Sequence, residues 1–153
     1  ELAEKYSHHR DFLYIGRRYA FPVALEGALK LKEISYIHAE GFAGGEMKHG
    51  PLALIDESFP TFATALTNEM AEKTYSNMQE IHARKGEIVS VVDDVDSDAA
   101  KLATDVIEIP KVPEQLQPLI AVVPAFLFAY YAAKNLGRDI DKPRNLAKSV
   151  TVE

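Results

Sequence analysis

The sequence predicts an α/β fold in which a parallel sheet lies between layers of helices. Short apolar segments alternate with helical segments: DFLYIG at 11–16, FPTFATAL at 59–66, EIVSVVDD at 87–94 and DVIEIP at 105–110. Each is nearly continuous in its apolar character, which is typical of parallel strands covered on both faces. With 153 residues, 47% of them hydrophobic, the chain has the size of one compact domain.

Three helical segments lie between or after these strands. Pro22 suits the first turn of a helix that continues through VALEGALKLKEISYI, and NEMAEKTYSNMQEIHARKG at 68–86 has an apolar face and ends at a glycine. A third helix, at about 115–136, is mostly apolar. Its strictly apolar part, 119–133, is shorter than the roughly 20 residues that cross a bilayer. It is therefore interpreted as a buried helix, kinked or offset at Pro124.

Two stretches are predicted to be loops. The first carries glycines at 41, 44, 45 and 50, followed by Pro51, and would allow close approach of a ligand or a neighbouring chain. The second, DDVDSDAAKLAT at 93–104, is expected to be a surface connection. Its alternating aspartates lack the following glycine and the distal glutamate of a calcium loop, so no calcium site is expected.

The composition excludes several kinds of partner and site. The chain carries 23 acidic and 17 basic residues and no long basic run, so we expect no nucleic acid partner and, given the short apolar helix, no membrane. It has no cysteine, which rules out disulfides and a cysteine nucleophile and is in keeping with a cytoplasmic protein. The chain begins at Glu1 without a signal pattern, so we expect a piece of a longer protein.

Glu26, Lys30 and Glu33 form a charged stripe on the first helix. At 100° per residue they share a narrow sector with apolar residues on both sides, so we expect a largely buried helix whose charges are paired or face a cleft. One interpretation is an ordinary ladder of ion pairs at i,i+4 and i,i+3. The other is a site, because a carboxylate beside a lysine in a partly desolvated cleft has the properties of a proton shuttle.

Two further residues are candidates for chemistry. His49 lies between a glycine-rich stretch and a Gly-Pro pair, and its near-neutral pKa suits acid and base work, although a lone histidine is more often structural. Lys148 lies in the C-terminal tail, residues 141–153, where a solvated lysine is the ordinary expectation. An amine desolvated over a site would become a nucleophile toward a carbonyl. His38 is assigned no role.

Two motifs together resemble one enzyme family. EGALKLKEISYIHAEGFAGGEMKHGPLALI at 26–55 and DKPRNLAKSVTVE at 141–153 are similar to the C-terminal half of the isomerase domain in the glucosamine-6-phosphate synthases. That region contains two sugar isomerase (SIS) subdomains, each a three-layer sandwich, and this chain resembles the second. One departure is Arg18, where the family usually has glycine after the first strand.

The resemblance implies roles for individual residues. Glu33 would move a proton between sugar carbons 1 and 2, and Lys30 would assist at the carbon 1 hydroxyl. His49 would open the sugar ring from the neighbouring subunit of a homodimer, and Lys148 would form a Schiff base with fructose 6-phosphate. Supporting or substrate-binding roles are expected for Glu26, Arg144 and Ala147. The resemblance implies no metal and no organic cofactor.

The resemblance also implies what other parts of a longer chain supply. The family takes ammonia from a glutaminase domain and holds the sugar phosphate with a serine- and threonine-rich loop of the first SIS subdomain, whereas the serines of this chain are scattered. We expect residues 1–140 to form one SIS domain, followed by the tail, and the fragment alone not to make glucosamine 6-phosphate. The alternative is a non-catalytic SIS module for phosphosugar sensing or oligomerisation, and a different SIS isomerase or deaminase is a third possibility.

Overall fold

In the computed structural model, which describes residues 1–146, five parallel strands form one sheet between two layers of helices. The strands are β1 (Asp11–Gly16), β2 (His38–Ala43), β3 (Thr61–Thr64), β4 (Ile88–Val92) and β5 (Asp105–Glu108). The helices are α1 (Leu2–Tyr6), α2 (Ala20–Ser35), α3 (Ala71–His82), α4 (Asp98–Leu102) and α5 (Gln117–Asn135). The predicted α/β sandwich is confirmed.

The strand order is β2-β1-β3-β4-β5, and every neighbouring pair is parallel. All strands therefore end at the same edge of the sheet, and each connecting helix returns the chain to the opposite edge. In particular, α2 begins just after β1 ends and finishes just before β2 begins. The C-terminal half of α2, which carries Lys30 and Glu33 of the charged stripe, accordingly lies toward the edge where the strands start.

Alternation along β1 produces two separate cores. Phe12 and Tyr14 face a cluster that contains residues of α1, α2 and α5, whereas Leu13 and Ile15 face a cluster with Met78 of α3 and Ala99 of α4. All four of these β1 side chains are at most 1% exposed. The sheet thus separates α2 and α5 on one face from α3 and α4 on the other.

The prediction of a loop around Gly41 is wrong at its start, because residues 38–43 form the edge strand β2. A Cβ at Gly41 would lie 2.8 Å from Cα of Leu25, so the glycine permits close packing of α2 on β2. After β2 the chain forms two 3₁₀ turns, Gly44–His49 and Pro51–Leu54. The stretch at 93–104, expected to be a connection, contains α4, which Ser97 caps by accepting a hydrogen bond from the Ala100 N–H.

The prediction that the long apolar helix is buried is correct for only one of its faces. Ala121, Ala125 and Ala129 are fully buried, and the helix continues across the buried Pro124. The opposite face leaves large apolar side chains open, including Leu119 at 67% exposure. The span Glu114–Asn135 also has the length and composition of a membrane-crossing helix, a test that core helices of water-soluble proteins pass as well.

Candidate functional site

The charged stripe of α2 is a connected set of ion pairs. Lys30 Nζ lies 2.8 Å from Glu33 Oε2, to which it donates a hydrogen bond, and 3.6 Å from Glu26 Oε1. The Glu33 side chain is 22% exposed and that of Glu26 is 40% exposed. Lys30 and Glu33 therefore form the closer and more sheltered pair, and Glu26 supports it from one turn earlier on the helix.

The pKa of Lys30 is raised above the usual lysine range. The hydrogen bond to Glu33 is the main cause, partial desolvation opposes it, and the negative charges of Glu33 and Glu26 add to the increase. A lysine held in its charged form donates hydrogen bonds and stabilises nearby negative charge, but does not remove protons. Within this pair, the Glu33 carboxylate is the group with the chemistry to accept a proton from a carbon acid.

The stripe lies where buried and exposed surface meet. On one side, Leu31 is fully buried and Val23 is 4% exposed. On the other side, Leu25 and Leu29 are 45% and 40% exposed, so the expectation of a largely buried helix is wrong there. Across the helix, Gly27 lets the Tyr14 ring and α5 approach closely, because a Cβ would lie 2.8 Å from that ring. Residues 1–146 alone thus cover the stripe from one side only.

The start of the C-terminal tail reaches the end of α2. Glu33, Tyr36, Arg144 and Leu146 line a shallow cavity of about 420 Å³. The structure therefore brings one of the predicted supporting residues, Arg144, to the cavity that Glu33 borders. Two other predicted residues, Ala147 and Lys148, lie outside the described residues.

His49 lies on the other face of the sheet. Within its 3₁₀ turn, Met47 is fully buried in the cluster with Met78 of α3, and Lys48 Nζ lies 2.8 Å from Glu80 Oε1 of α3. The His49 ring is 73% exposed, with Nδ1 2.7 Å from Glu46 Oε2. Among residues 1–146, no hydrogen bond or ion pair joins His49 to the charged stripe. The structure thus does not bring His49 and Glu33 together within one chain.

Tyr36 is the residue at this site that the sequence did not indicate. It ends α2 in the left-handed conformation, with φ 67°, and its hydroxyl accepts a hydrogen bond from the Arg144 N–H. An aromatic residue near a helix end has no pattern that distinguishes it from a core residue. In the sequence it only continues the apolar side of the helix.

Arg18 keeps the left-handed turn that glycine favours. Its φ is 49°, and its guanidinium forms ion pairs with Glu69 and Glu114 beyond the carboxyl ends of the strands.

No group of three His, Asp or Glu side chains within the described part of the chain is placed to hold a metal ion.

Comparison with known proteins identifies a domain family and similar proteins from several organisms. Residues 5–136 match the model of the SIS domain. The glutamine–fructose-6-phosphate aminotransferase [isomerizing] of Thermus thermophilus is 55% identical over 152 residues, which is 99% of this chain and 25% of that protein. The corresponding protein of Aquifex aeolicus is 53% identical over 153 residues, which is 100% of this chain and 26% of that protein. The chain therefore spans about a quarter of the length of these relatives.

Solved structures place the same fold in enzymes and in a regulator. The C-terminal domain of glucosamine-fructose-6-phosphate aminotransferase from Francisella tularensis superposes with a TM-score of 0.83 at 39% identity, covering 92% of this chain and 40% of that one. The sugar isomerase domain of an RpiR transcription factor from Sphaerobacter thermophilus has a TM-score of 0.69 at 13% identity, covering 89% of this chain and 74% of that one, a likeness of fold alone. With the five-stranded parallel sheet and the family match over most of its length, the chain belongs to the SIS domain family.

Proposed function

We propose that this chain is the second SIS subdomain of an isomerising glutamine:fructose-6-phosphate aminotransferase and carries a large part of its isomerase chemistry. The parent reaction converts fructose 6-phosphate and glutamine to glucosamine 6-phosphate and glutamate. Identity of 55% over nearly the whole chain to an enzyme of that name supports this assignment. Residues 1–140 form the SIS domain in this proposal, and residues 141–153 are its catalytic tail.

The hydrogen-bonded pair of Lys30 and Glu33 is the observation that carries the proposal. Glu33 takes a proton from carbon 1 and returns it to carbon 2, while the carbon 1 hydroxyl proton passes to the nitrogen, so that the alcohol at carbon 1 becomes a carbonyl and the imine at carbon 2 becomes an amine. Lys30, held in its charged form by Glu33 and Glu26, faces the developing negative charge at the carbon 1 oxygen. The proton acceptor and the oxygen stabiliser thus lie one helical turn apart.

Lys148 is the nucleophile in this proposal. Its amine adds to carbon 2 of the open-chain sugar and water leaves, which forms the Schiff base. Ammonia then replaces the lysine nitrogen, and Glu33 moves the proton. Arg144 supports the tail, since it lines the cavity that Glu33 borders. Ala147, next to Lys148, is assigned to substrate binding.

His49 acts in the proposal at the site of a neighbouring subunit. A ring 73% exposed and located on the opposite face of the sheet from Glu33 is available to a second chain. A homodimer would bring the histidine of one subunit to the charged stripe of the other, where it opens the sugar ring. The isologous geometry of a two-fold dimer makes both sites equivalent.

Other parts of the parent protein complete the site. The first SIS subdomain holds the phosphate and covers the open side of the stripe, and a glutaminase domain supplies ammonia. We place the whole enzyme in the cytoplasm, without nucleic acid or membrane partners. Neither a metal nor an organic cofactor takes part in this mechanism.

The test is to trap the Schiff base. The chain is incubated with fructose 6-phosphate, reduced with borohydride, digested and searched for a sugar adduct by mass spectrometry, and a longer chain with the first SIS subdomain restored is treated in parallel. We expect an adduct confined to Lys148 in the longer chain. An adduct in neither protein would reject the enzyme assignment in favour of a sensing or oligomerisation module.

A further inference from the structure

We propose that Tyr36 is a positioning residue: its ring and hydroxyl fix the start of the C-terminal tail against the end of α2. The tyrosine thereby determines the point from which the chain continues to Lys148. This inference rests on the proposed function, because it gives Tyr36 a role in presenting the lysine that the proposal makes the nucleophile.

The chain between α5 and the tail follows a locally defined path. Gly137, with φ 64°, ends α5, and the Arg138 N–H donates to the Ala133 carbonyl at 2.9 Å. The Asp139 carboxylate then accepts hydrogen bonds from the N–H groups of Asp141 and Lys142 at 3.0 and 2.9 Å. Consecutive turns therefore direct the chain from the end of α5 toward the end of α2.

Tyr36 meets this chain with two kinds of contact. The Arg144 N–H donates a hydrogen bond to Tyr36 Oη at 2.8 Å, and the Arg144 guanidinium carbon lies 4.2 Å from the centre of the tyrosine ring. A second guanidinium, that of Arg138, lies 5.3 Å from the same ring. One side chain thus binds the backbone and the side chain of Arg144 and also contacts the preceding turn.

The backbone of Tyr36 indicates that this side chain serves more than the end of the helix. With φ 67° the residue occupies the left-handed region, where a helix most often ends at glycine because a Cβ is unfavourable there. Glycine would therefore end α2 with less strain. A tyrosine at this position accepts that strain and provides the contacts to Arg144.

The anchored point is close enough to the charged stripe for the tail to reach it. Tyr36 follows Glu33 by three residues, and both line the same cavity as Arg144. Lys148 follows Arg144 by four residues, which span at most about 14 Å when extended. A fixed position of Arg144 therefore sets an upper limit on the distance between this cavity and the Lys148 backbone.

The test compares variants in the full-length protein that contains this chain. Tyr36→Gly removes the ring and keeps the left-handed backbone, and Tyr36→Phe keeps the ring and removes the hydroxyl. Lys85→Gly is the matched control, since Lys85 also has a left-handed backbone, with φ 63°, but follows the end of α3 on the other face of the sheet. Thermal unfolding of each variant separates loss of the anchor from loss of the fold.

The first readout, made without sugar, is tryptic cleavage after Arg144, which requires the arginine to leave the tyrosine ring. Tyr36→Gly should cleave about tenfold faster than the unmodified protein and Tyr36→Phe about threefold faster, whereas Lys85→Gly should not change the rate. If cleavage were equally fast in all variants, Tyr36 would not hold Arg144 in place. This conclusion would not depend on the activity of the enzyme.

The second readout is the rate of borohydride trapping of fructose 6-phosphate on Lys148. We expect it to fall about tenfold in Tyr36→Gly, with partial recovery in Tyr36→Phe and no loss of thermal stability in either. Unchanged trapping despite faster cleavage would show that the anchor does not position the lysine. Absence of any adduct in the unmodified protein would instead reject the proposed function, and the cleavage rates would still decide whether Tyr36 holds the tail.

Discussion

The charged stripe and the turn that carries His49 each contain an acid and a base three residues apart, yet their surroundings differ. Lys30 and Glu33 are 2.8 Å apart with side chains 36% and 22% exposed, and His49 and Glu46 are 2.7 Å apart with side chains 73% and 62% exposed. The two contact distances are therefore similar, although the side chains of the two pairs differ greatly in their exposure to solvent. Sequence spacing and the distance between the charged atoms alone do not distinguish a functional site from a solvent-exposed ion pair.

The two regions also lie on opposite faces of the sheet, although the sequence makes them one motif. The strand β2 connects them, leading from the end of α2 along the edge of the sheet to the turn at Gly44–His49. A six-residue strand spans roughly 16 Å from its first to its last Cα. We therefore expect the motif to serve two different sites, one in each subunit of a dimer.

Replacement of Glu33 should cause the greatest loss of activity. Glu33→Gln keeps the shape and removes the proton acceptor, so we expect kcat for glucosamine 6-phosphate formation in the full-length protein to fall by about 10² to 10⁴. Glu108→Gln, on the edge strand β5 where the side chain is exposed, is the control and should leave kcat unchanged. A decrease in kcat of less than tenfold in Glu33→Gln would show that Glu33 does not transfer the proton.

Mixing two inactive variants tests the separation of the two regions directly. If His49 serves the neighbouring subunit, a heterodimer of Glu33→Gln and His49→Asn has one intact site, and a random mixture should recover about a quarter of the normal activity. The measurement is activity after the two proteins are dissociated and reassociated together.

The same experiment has a built-in control. His82→Asn, at the exposed end of α3, should be fully active alone. Its addition to either variant should not change the activity that the mixture recovers. If the mixture of Glu33→Gln and His49→Asn stays inactive although heterodimers form, then Glu33 and His49 act within one chain and the two regions belong to a single site.

Gly41→Ala should disturb the strand that connects the two regions. The added Cβ would meet the Leu25 backbone at 2.8 Å, so we expect a loss of about 1–3 kcal/mol in the free energy of unfolding, measured with denaturant. Gly45→Ala is the matched control, because there the nearest atoms lie 3.5 Å away, in ordinary contact. Equal stabilities of the two variants would show that α2 does not pack closely on β2.

The most modest change concerns the pKa of Lys30. Because Glu33 is the main reason that this pKa is raised, Glu33→Gln should lower it, and Glu26→Gln should lower it less, since Glu26 lies at 3.6 Å. Titration of the lysine side chain by NMR measures both changes. A greater decrease in Glu26→Gln would show that Glu26, rather than Glu33, is the main partner of Lys30.

The same shift has a consequence for stability at high pH. A pKa that is higher in the folded than in the unfolded protein contributes stability that is complete below the ordinary lysine value of 10.5 and is lost as the pH rises through the folded value. The difference in the free energy of unfolding between the unmodified protein and Glu33→Gln should therefore become smaller as the pH rises above 10.5.

The sequence predicted most of the sheet, because β1, β3 and β4 are buried along nearly their whole length and are correspondingly apolar. It did not predict β2. Gly41 in this strand permits close packing of α2, but a glycine in the sequence more often indicates a loop. It also overestimated the burial of α5 and of the Leu25 side of α2, because hydrophobicity alone does not say which neighbour, within or beyond residues 1–146, covers an apolar face.

For the site, the amino-acid order was enough to define the charged stripe, since positions separated by four and three residues must share one face of a helix. The resemblance to the synthases assigned its chemistry. Folding was needed to place His49 across the sheet from Glu33. Because β2 and β3 lie on opposite sides of β1, the right-handed connections before and after β2 cover opposite faces of the sheet. Folding also brought Tyr36 to Arg144, since 108 residues separate them and no local pattern records a contact between such distant positions.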